Sequence, residues 1–394
     1  SRLWGWGNNE YGQIGDGTAE NHSTPVAVDL SSLHSLNDPA EIVSVVAMSY
    51  YHSLALDSLG RVWSWGDNSS GQLGYGDTQG SVVPRLVDLS PLNGKKVITV
   101  KSGNNVGMAL DEDGQLWAWG NNYHGLFGNG STNSSYLPTP TDLSALGNNK
   151  VVDFDMGETH VLALDDTGQV WAWGTNYLGE LGNGTTSSTF VLSPIAVDLT
   201  PLAGVAVRSV SACKYGYCSL LLDESGDIWA WGRDNYQRLG PFEAGNKLLP
   251  TKVDNTIFAG SKMRSIEAGY IHALALSDTN QLWAWGENIF GQFGNGTTAS
   301  SYTPIPVRFP VPSAPVPIGV LAIRELMAPE VFIAPLEITD EGDYVIRIDS
   351  EDFTPVVSIT TPDGRKLRSV DGACAKTSGI IVHLPKGQFQ LLVE

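Results

Sequence analysis

A Trp-x-Trp-Gly motif recurs six times along the chain and contains all twelve of its tryptophans. The motifs follow one another at intervals of 54 to 59 residues. This period is too long for solenoid repeats of ~20–45 residues and lies near the ~40–50 residues of a four-stranded propeller blade. The repeat therefore predicts sheets arranged radially around an axis. The tryptophans, which we expect to be structural, are Trp4, Trp6, Trp63, Trp65, Trp117, Trp119, Trp171, Trp173, Trp229, Trp231, Trp283 and Trp285.

Each repeat has the pattern of four short strands. In the second repeat, residues 42–47 and 52–56 are mainly apolar, residues 57–60 predict a turn, and residues 61–66 alternate large and small side chains. Because side chains alternate along a strand, both tryptophans of a motif point to one face. Burying each one against a neighbouring blade contributes roughly 2–3 kcal/mol.

The sequence Val-Trp-Ser-Trp-Gly-Asp-Asn-Ser-Ser-Gly-Gln-Leu-Gly at residues 62–74 resembles the regulator-of-chromosome-condensation repeat. The resemblance covers about residues 2–308 and implies a β-propeller, usually of seven blades. Six third strands but only five second strands are present, so we predict an all-β fold of six four-stranded blades, with seven as the alternative. The missing strands would come from an upstream segment or from part of residues 318–342.

The tryptophan motif is absent from the C-terminal part of the chain. We therefore assign residues 1–308 to the propeller, 309–317 to a Pro-rich linker, and 318–394 to a small β-sandwich-like domain. Gly-Asp-Tyr at 342–344 and Leu-Pro-Lys-Gly-Gln-Phe at 384–389 resemble the pre-peptidase C-terminal β-sandwich domain. That resemblance implies an exported protein, and an unrelated small sandwich is the alternative.

Charge and composition narrow the classes of partner. The chain has 23 basic and 42 acidic residues and a formal net charge of -19. An acidic surface repels phosphate, so we predict no nucleic-acid binding. No apolar segment is long enough to span a membrane. Low lysine content, few thiols and abundant small polar residues resemble bacterial exported proteins, which predicts an extracellular or cell-surface location.

No catalytic constellation can be assembled from the sequence. The Gly-x-Ser-x-Gly motif is absent, so we predict a non-enzyme without a cofactor. His52, His160 and His272 hold equivalent repeat positions and could ring the axis as metal ligands. Val106 and Cys218 stand at the same position in the other repeats, which favours a packing position instead.

Two further features have a structural and a functional interpretation. Cys213 and Cys218 flank a predicted hairpin turn, where they could form a disulfide or remain two buried thiols; Cys374 is left over. Acidic turns at residues 111–114 and 223–226 suggest a cation, but they are shorter than the twelve-residue EF-hand loop. They lie at the predicted turn between the second and third strands, so hairpin turn chemistry explains them, with a bound cation as the less favoured alternative.

Strand direction places the turn between the first and second strands, and the loop that leaves the third strand, at the same end of each blade. These loops are rich in Tyr and Asn, which suits protein recognition on a rigid frame. The predicted binding residues are Tyr50, Tyr51, Asn104, Asn105, Tyr123, Tyr177, Tyr215, Tyr217, Tyr236, Tyr270 and Phe290.

These observations favour an exported, non-enzymatic binding or adhesion module that recognises a protein or another surface macromolecule. It could be a self-assembling subunit of a surface structure. The alternative is a secreted protein inhibitor of an enzyme, a role known in the resembled family. Guanine-nucleotide exchange, the role of the family's nuclear founder, is less favoured by the acidic balance. The family's ultraviolet photoreceptors use Gly-Trp-Arg-His-Thr motifs, which are absent here.

Overall fold

The computed structural model describes residues 3–34, 42–47, 51–103, 105–214, 217–234, 245–269, 271–289 and 291–307, and the backbone of seven strands between residues 322 and 393. The chain divides into two compact units, Ser1–Phe309 and Pro310–Glu394. The predicted linker at 309–317 lies outside the described residues.

The described strands of the first unit form one two-stranded sheet and five four-stranded antiparallel sheets. Each sheet keeps its strands in chain order, as expected for propeller blades. Blade 1 contains β1 (Trp4–Gly7) and β2 (His22–Ala27). Blade 2 contains β3 (Ile42–Ala47), β4 (His52–Asp57), β5 (Val62–Gly66) and β6 (Ser81–Leu86). Blade 3 contains β7 (Val97–Gly103), β8 (Val106–Asp111), β9 (Leu116–Gly120) and β10 (Ser135–Pro140).

The last three blades repeat this arrangement, which confirms the predicted all-β propeller fold. Blade 4 contains β11 (Val151–Met156), β12 (His160–Asp165), β13 (Val170–Gly174) and β14 (Val191–Ala196). Blade 5 contains β15 (Val207–Ala212), β16 (Cys218–Asp223), β17 (Ile228–Gly232) and β18 (Lys247–Lys252). Blade 6 contains β19 (Met263–Ala268), β20 (His272–Ser277), β21 (Leu282–Gly286) and β22 (Ser301–Pro306).

A short helical turn follows the last strand of each of the first five blades. Each turn buries one apolar side chain in the cluster that contains the next blade's tryptophans. Phe258, for example, meets Trp283 edge-on with ring centroids 5.3 Å apart. The turns are α1 (Ser31–His34) and four 3-10 turns at Ser90–Leu92, Ser144–Leu146, Thr200–Leu202 and Asn255–Phe258.

The tryptophans of blades 2 to 6 are buried, apart from the partly buried Trp171. Those of blade 1 are not: Trp4 is 50% and Trp6 is 62% exposed. Each buried pair lies beside the second strand of its own blade, as Trp119 lies opposite Gly107. Among the described residues, β1 pairs only with β2, so no described strand lies beside Trp4 and Trp6 in this way. The burial expected of all twelve tryptophans is therefore not observed for Trp4 and Trp6 in the described part of the chain.

The buried tryptophans also use their indole nitrogens in a regular way. In blades 2 to 5 the first of each pair donates to the aspartate at the end of the preceding strand, over 3.0 Å for Trp63 and Asp57 and 2.9 Å for Trp117 and Asp111. The second donates to a backbone carbonyl of the preceding blade, over 2.8 Å from Trp65 to Gln13. In blades 2 to 5 each tryptophan pair thus stabilises both its own hairpin and the contact with the preceding blade.

The acidic turns are explained by the same hairpins. Asp111 Oδ1 accepts hydrogen bonds of 3.0 Å from the backbone N–H groups of Asp113 and Gln115, and its Oδ2 accepts the Trp117 indole. Asp223 makes the equivalent bonds. These carboxylates therefore complete turns rather than point to a common centre.

The second unit is all-β, as predicted. It contains a three-stranded sheet in the order β23-β25-β28 and a four-stranded sheet in the order β24-β29-β26-β27. No described helix anywhere in the chain has the length and apolar character needed to cross a bilayer. The strands are β23 (Ala322–Ile323), β24 (Phe332–Ile338), β25 (Gly342–Asp349), β26 (Val356–Thr360), β27 (Lys366–Asp371), β28 (Thr377–Leu384) and β29 (Gly387–Val393).

Candidate functional site

One backbone hydrogen bond repeats in blades 2 to 6 and defines a common face of the propeller. The residue that follows the third strand donates its N–H to the carbonyl of the residue before the second strand. The two loop sets therefore lie together, and we call this surface the loop face. The bonds run from Asp67 to Tyr51, Asn121 to Asn105, Thr175 to Thr159, Arg233 to Tyr217 and Glu287 to Ile271, at 2.7 to 2.9 Å.

Five of the predicted binding residues lie on the described part of the loop face. Tyr51 is 37%, Tyr123 65% and Tyr177 43% exposed, whereas Asn105 and Tyr217 are partly buried. The remaining predicted residues lie outside the described residues; they are Tyr50, Asn104, Tyr215, Tyr236, Tyr270 and Phe290.

Four rings from two blades meet on this face. Tyr123 and His124 belong to the loop after β9, and Tyr177 and Phe190 to the loop after β13. The Phe190 centroid lies 5.7 Å from that of Tyr123, 5.3 Å from that of His124 and 6.2 Å from that of Tyr177. These four residues, which we call the aromatic patch, present two exposed tyrosines over a partly buried phenylalanine.

Phe190 was missed by the sequence analysis, although the repeat carries a signal for it. The residues at the same repeat position, immediately before the fourth strand, are Asn21, Gly80, Ser134, Asn246 and Ser300. A large apolar ring at a position otherwise occupied by glycine, serine or asparagine indicates a specific contact. Its contacts with Tyr123 and His124 could not be read from the sequence, because these residues lie in another blade.

The loops beneath the patch are held firmly. The Gly130 N–H donates to the Leu192 carbonyl in β14 over 2.9 Å. Gly125 has a φ of 71°, and a Cβ there would lie 2.4 Å from Leu192 Cδ2. The fully buried Asn122 accepts from the Phe127 N–H and donates to the carbonyls of two residues within its own loop. The patch is therefore largely preorganised.

A second aromatic contact joins blades 1 and 2 on the same side. The rings of Tyr11 and Tyr51 meet edge-on with centroids 4.9 Å apart, and both are exposed. Edge-to-face pairs are favourable because the ring edge is positive and the ring face is negative. Exposed tyrosines thus occur in at least two places on the loop face.

A pocket of about 140 Å³ opens beside Tyr123, between blades 3 and 4. Because five of its six lining residues carry polar groups, it differs from a purely apolar ligand cavity. We call it the Glu158 pocket; its walls are Asn105, Asn121, Tyr123, His124, Leu126 and Glu158.

One substitution within the repeat explains why the pocket opens here. In blade 2, Gln72 Nε2 donates to Asp67 Oδ2 over 2.7 Å and to Asn105 Oδ1 over 3.3 Å. The equivalent residue in blade 3 is Leu126, whose side chain cannot donate a hydrogen bond. Gln72 thus links the Asp67 loop of blade 2 to the Asn105 loop of blade 3. Leu126 cannot make the corresponding link between blades 3 and 4.

The pocket lining combines a histidine of lowered pKa with one acidic residue. Burial lowers the pKa of His124 below its usual value of 6.5, so this side chain is mainly neutral at pH 7. Glu158 is acidic, and none of the lining residues is Lys or Arg. The net charge of the chain adds to the negative potential.

The histidines that could have ringed the axis are packing residues. His52 and His160 are almost fully buried, and this burial lowers the pKa of each to about 4. His160 Nε2 lies 2.8 Å from the hydroxyl oxygen of Ser219 in the next blade. No group of three or more His, Cys, Asp or Glu side chains in the described part of the chain could hold a metal ion.

The structure joins Cys213 and Cys218 in a disulfide, with their Cα atoms 5.3 Å apart. The neighbouring Lys214 Nζ lies 2.6 Å from Oδ1 of Asp155, a carboxylate that is 1% exposed in blade 4. Burial raises the pKa of Asp155, but the attraction of Lys214 and Lys101 outweighs it and lowers the pKa below its usual range. The disulfide hairpin therefore also supports a buried ion pair between blades.

The RCC1-like domain family model matches residues 2–323, which extends beyond the predicted end of the propeller. The Arabidopsis thaliana ultraviolet-B receptor UVR8 is 30% identical over 77% of this chain and 65% of its own. The human E3 ubiquitin-protein ligase HERC2 is also 30% identical, over 77% of this chain and 6% of its own. This chain therefore spans less than two thirds of the length of either relative.

Two solved structures share the propeller fold. Human WBSCR16 superposes with a TM-score of 0.68 and 25% identity, covering 78% of this chain and 76% of its own. Prp20p from Saccharomyces cerevisiae gives a TM-score of 0.67 and 25% identity, covering 78% of this chain and 73% of its own. The family resemblance predicted from the tryptophan repeat is confirmed, and the chain belongs to the RCC1-like domain family.

Proposed function

We propose that this protein is a non-enzymatic binding module that recognises a protein partner through the loop face, with the aromatic patch at the centre of the contact. The observation that carries this proposal is the exposure of Tyr123 and Tyr177 above Phe190, on loops fixed across two blades. Tyrosine is enriched at the energetic centres of protein interfaces, because it offers a large apolar ring and a polar hydroxyl.

The rigidity of the patch supports the proposal. A tyrosine has only two side-chain torsions, and here its loop is already held by the contact of Gly130 with Leu192. Little conformational entropy is therefore lost when a partner binds. Binding residues also commonly lie on loops that a rigid scaffold holds in place.

The test compares three full-length baits in quantitative pull-downs from the native host. The double variant Tyr123→Ala/Tyr177→Ala should reduce capture of the wild-type partner by at least about tenfold, since each lost ring removes interface energy of the order of 1–2 kcal/mol. Tyr302→Ala is the matched control, because Tyr302 is 45% exposed on β22 rather than on a loop. It should capture the partner like the wild type.

Two outcomes would contradict this proposal. One is equal capture by all three baits, and the other is equal loss in the double variant and the control. The thermal midpoints of the three proteins should agree within a few degrees, which separates a lost contact from a lost fold.

We further propose an exported location, at the cell surface or outside the cell, and a role as an adhesion or assembly subunit. The disulfide between Cys213 and Cys218 supports this location, because such bonds persist mainly in oxidising compartments. Fractionation of the native host should find the protein cell-associated or polymeric. A soluble one-to-one complex with an enzyme would instead favour a secreted inhibitor, and a reduced intracellular pool would overturn export.

A further inference from the structure

We propose that Asn93 is a site of spontaneous deamidation, where the side-chain amide becomes a carboxylate while the other Asn-Gly pairs of the chain are protected by the fold. This inference is independent of the proposed function, because Asn93 follows the last strand of blade 2, at the end opposite to the loop face. The new charge would lie close in sequence to Lys95, whose Nζ is 2.7 Å from Asp113 Oδ2 in the acidic hairpin of blade 3.

The chemistry needs only the chain and water. The backbone nitrogen of the following residue attacks the side-chain carbonyl carbon of the asparagine, Cγ. The new N–Cγ bond closes a succinimide ring, the Cγ–Nδ2 bond breaks, and the proton of the attacking nitrogen goes to the departing ammonia. Water then opens the ring at either carbonyl and gives aspartate or isoaspartate. A following glycine favours the attack, because it has no Cβ to crowd its nitrogen and few limits on its backbone.

The chain contains four Asn-Gly pairs, and the structure describes all of them. Because the reacting dipeptide is the same in each, the fold decides which of them can react. The pairs are Asn93-Gly94, Asn129-Gly130, Asn183-Gly184 and Asn295-Gly296.

In two of these pairs the attacking nitrogen is already engaged by the next blade. The Gly130 N–H donates to the Leu192 carbonyl in β14 over 2.9 Å. The Gly184 N–H donates to the Leu248 carbonyl in β18 over 3.0 Å. These bonds must break before either glycine nitrogen can attack.

The asparagine side chains of the three loop pairs are fixed as well. Asn129 Oδ1 and Asn183 Oδ1 each accept the backbone N–H two residues further on, over 3.2 Å. Asn295 Oδ1 accepts the N–H and the hydroxyl of Thr297 over 3.1 and 2.9 Å. The Gly296 N–H has no partner among the described residues, so this pair keeps only one of the two restraints.

Asn93 has neither restraint. In the described part of the chain, the Gly94 N–H donates to no group and Asn93 Oδ1 accepts from none. The side chain makes one long hydrogen bond, 3.4 Å from Nδ2 to the Pro91 carbonyl. Both residues are exposed, and a Cβ built at Gly94 would meet nothing within 4 Å, so the ring has room to close.

The repeat itself supplies a matched variant. Asn93 follows a 3-10 turn in the left-handed conformation, with a φ of 53°. Ala203 and Ala259 hold the same position in blades 4 and 5, with φ values of 52° and 53°. Asn93→Ala therefore removes the amide at a position where alanine already adopts this conformation.

The experiment incubates the full-length protein in mildly alkaline buffer made with H₂¹⁸O and follows each Asn-Gly site by peptide mass spectrometry. Asn93 should convert first, to aspartate and isoaspartate that both carry ¹⁸O. Asn129 and Asn183 should convert at a rate at least about tenfold lower, because their hydrogen bonds must break before the ring can close. Asn295 should fall between these limits.

Two controls separate the fold from the sequence. In the protein unfolded with guanidinium chloride, the four sites should convert at similar rates. Asn93→Ala should lose the main acidic variant seen on ion-exchange chromatography and keep the thermal midpoint of the wild type within a few degrees. Equal rates at the four sites of the folded protein, earlier conversion of Asn129 or Asn183 than of Asn93, or a rate order that persists after unfolding would overturn the inference.

Discussion

The indole N–H of Trp283 is buried without a hydrogen-bond partner among the described residues, because Ser277 stands where an aspartate stands in four other blades. In blade 3, Asp111 Oδ2 accepts the equivalent bond from Trp117 over 2.9 Å. The Ser277 hydroxyl is instead engaged by the Gln281 N–H and by Thr279. An unmade bond to a buried donor costs roughly 1–3 kcal/mol, so blade 6 has a local weakness.

Ser277→Asp should raise the free energy of unfolding by about 1 kcal/mol, because the carboxylate can accept from the Trp283 indole and still complete the turn. The reverse change in blade 3, Asp111→Ser, should lower it by about 2 kcal/mol. Urea denaturation measures both. If both variants lower the free energy of unfolding, the hydrogen bond from the indole N–H to the aspartate is not the source of the stabilisation.

Trp119→Phe should destabilise the propeller by about 2 kcal/mol, because it removes the 2.9 Å bond from the indole to the Gln72 carbonyl and leaves a small cavity. Trp6→Phe, at the same repeat position, is the control. Trp6 is 62% exposed, so its change should stay within about 0.5 kcal/mol. Equal losses at both positions would show that Trp6 is covered in solution.

The buried histidines predict a loss of stability in mild acid. Burial lowers the pKa of His160 from 6.5 to about 4, so the unfolded chain binds this proton more readily than the folded one. The contribution is complete above pH 6.5 and is lost as the pH falls towards 4, by about 3 kcal/mol for this group.

His160→Val removes this titration, and valine already stands at the equivalent position as Val106. Denaturation curves at pH 7 and pH 4.5 should show a smaller stability loss for the variant than for the wild type. If both proteins lose the same free energy of unfolding between pH 7 and pH 4.5, His160 is not held buried and neutral in the folded state.

The blades could be predicted in detail because their information is local. The turn Asp57-Ser58-Leu59-Gly60 joins two apolar strands, and each strand pairs with the next one along the chain. The same reasoning placed Tyr51, Tyr123 and Tyr177 on one face, since strand direction fixes which loops lie together. In blade 1, Trp4 and Trp6 are exposed, because no described second strand lies beside them.

The amino-acid sequence by itself determined the repeat, the family, the orientation of the loops and the residues that pack between blades, because hairpin register and side-chain alternation act over a few residues. Only the tertiary structure decided that Phe190 meets Tyr123, that Lys214 pairs with Asp155 over 2.6 Å, and that Leu126 leaves a pocket open beside Glu158. These contacts join different blades, so they arise only when the sheets pack against one another and bring together residues that are far apart along the chain.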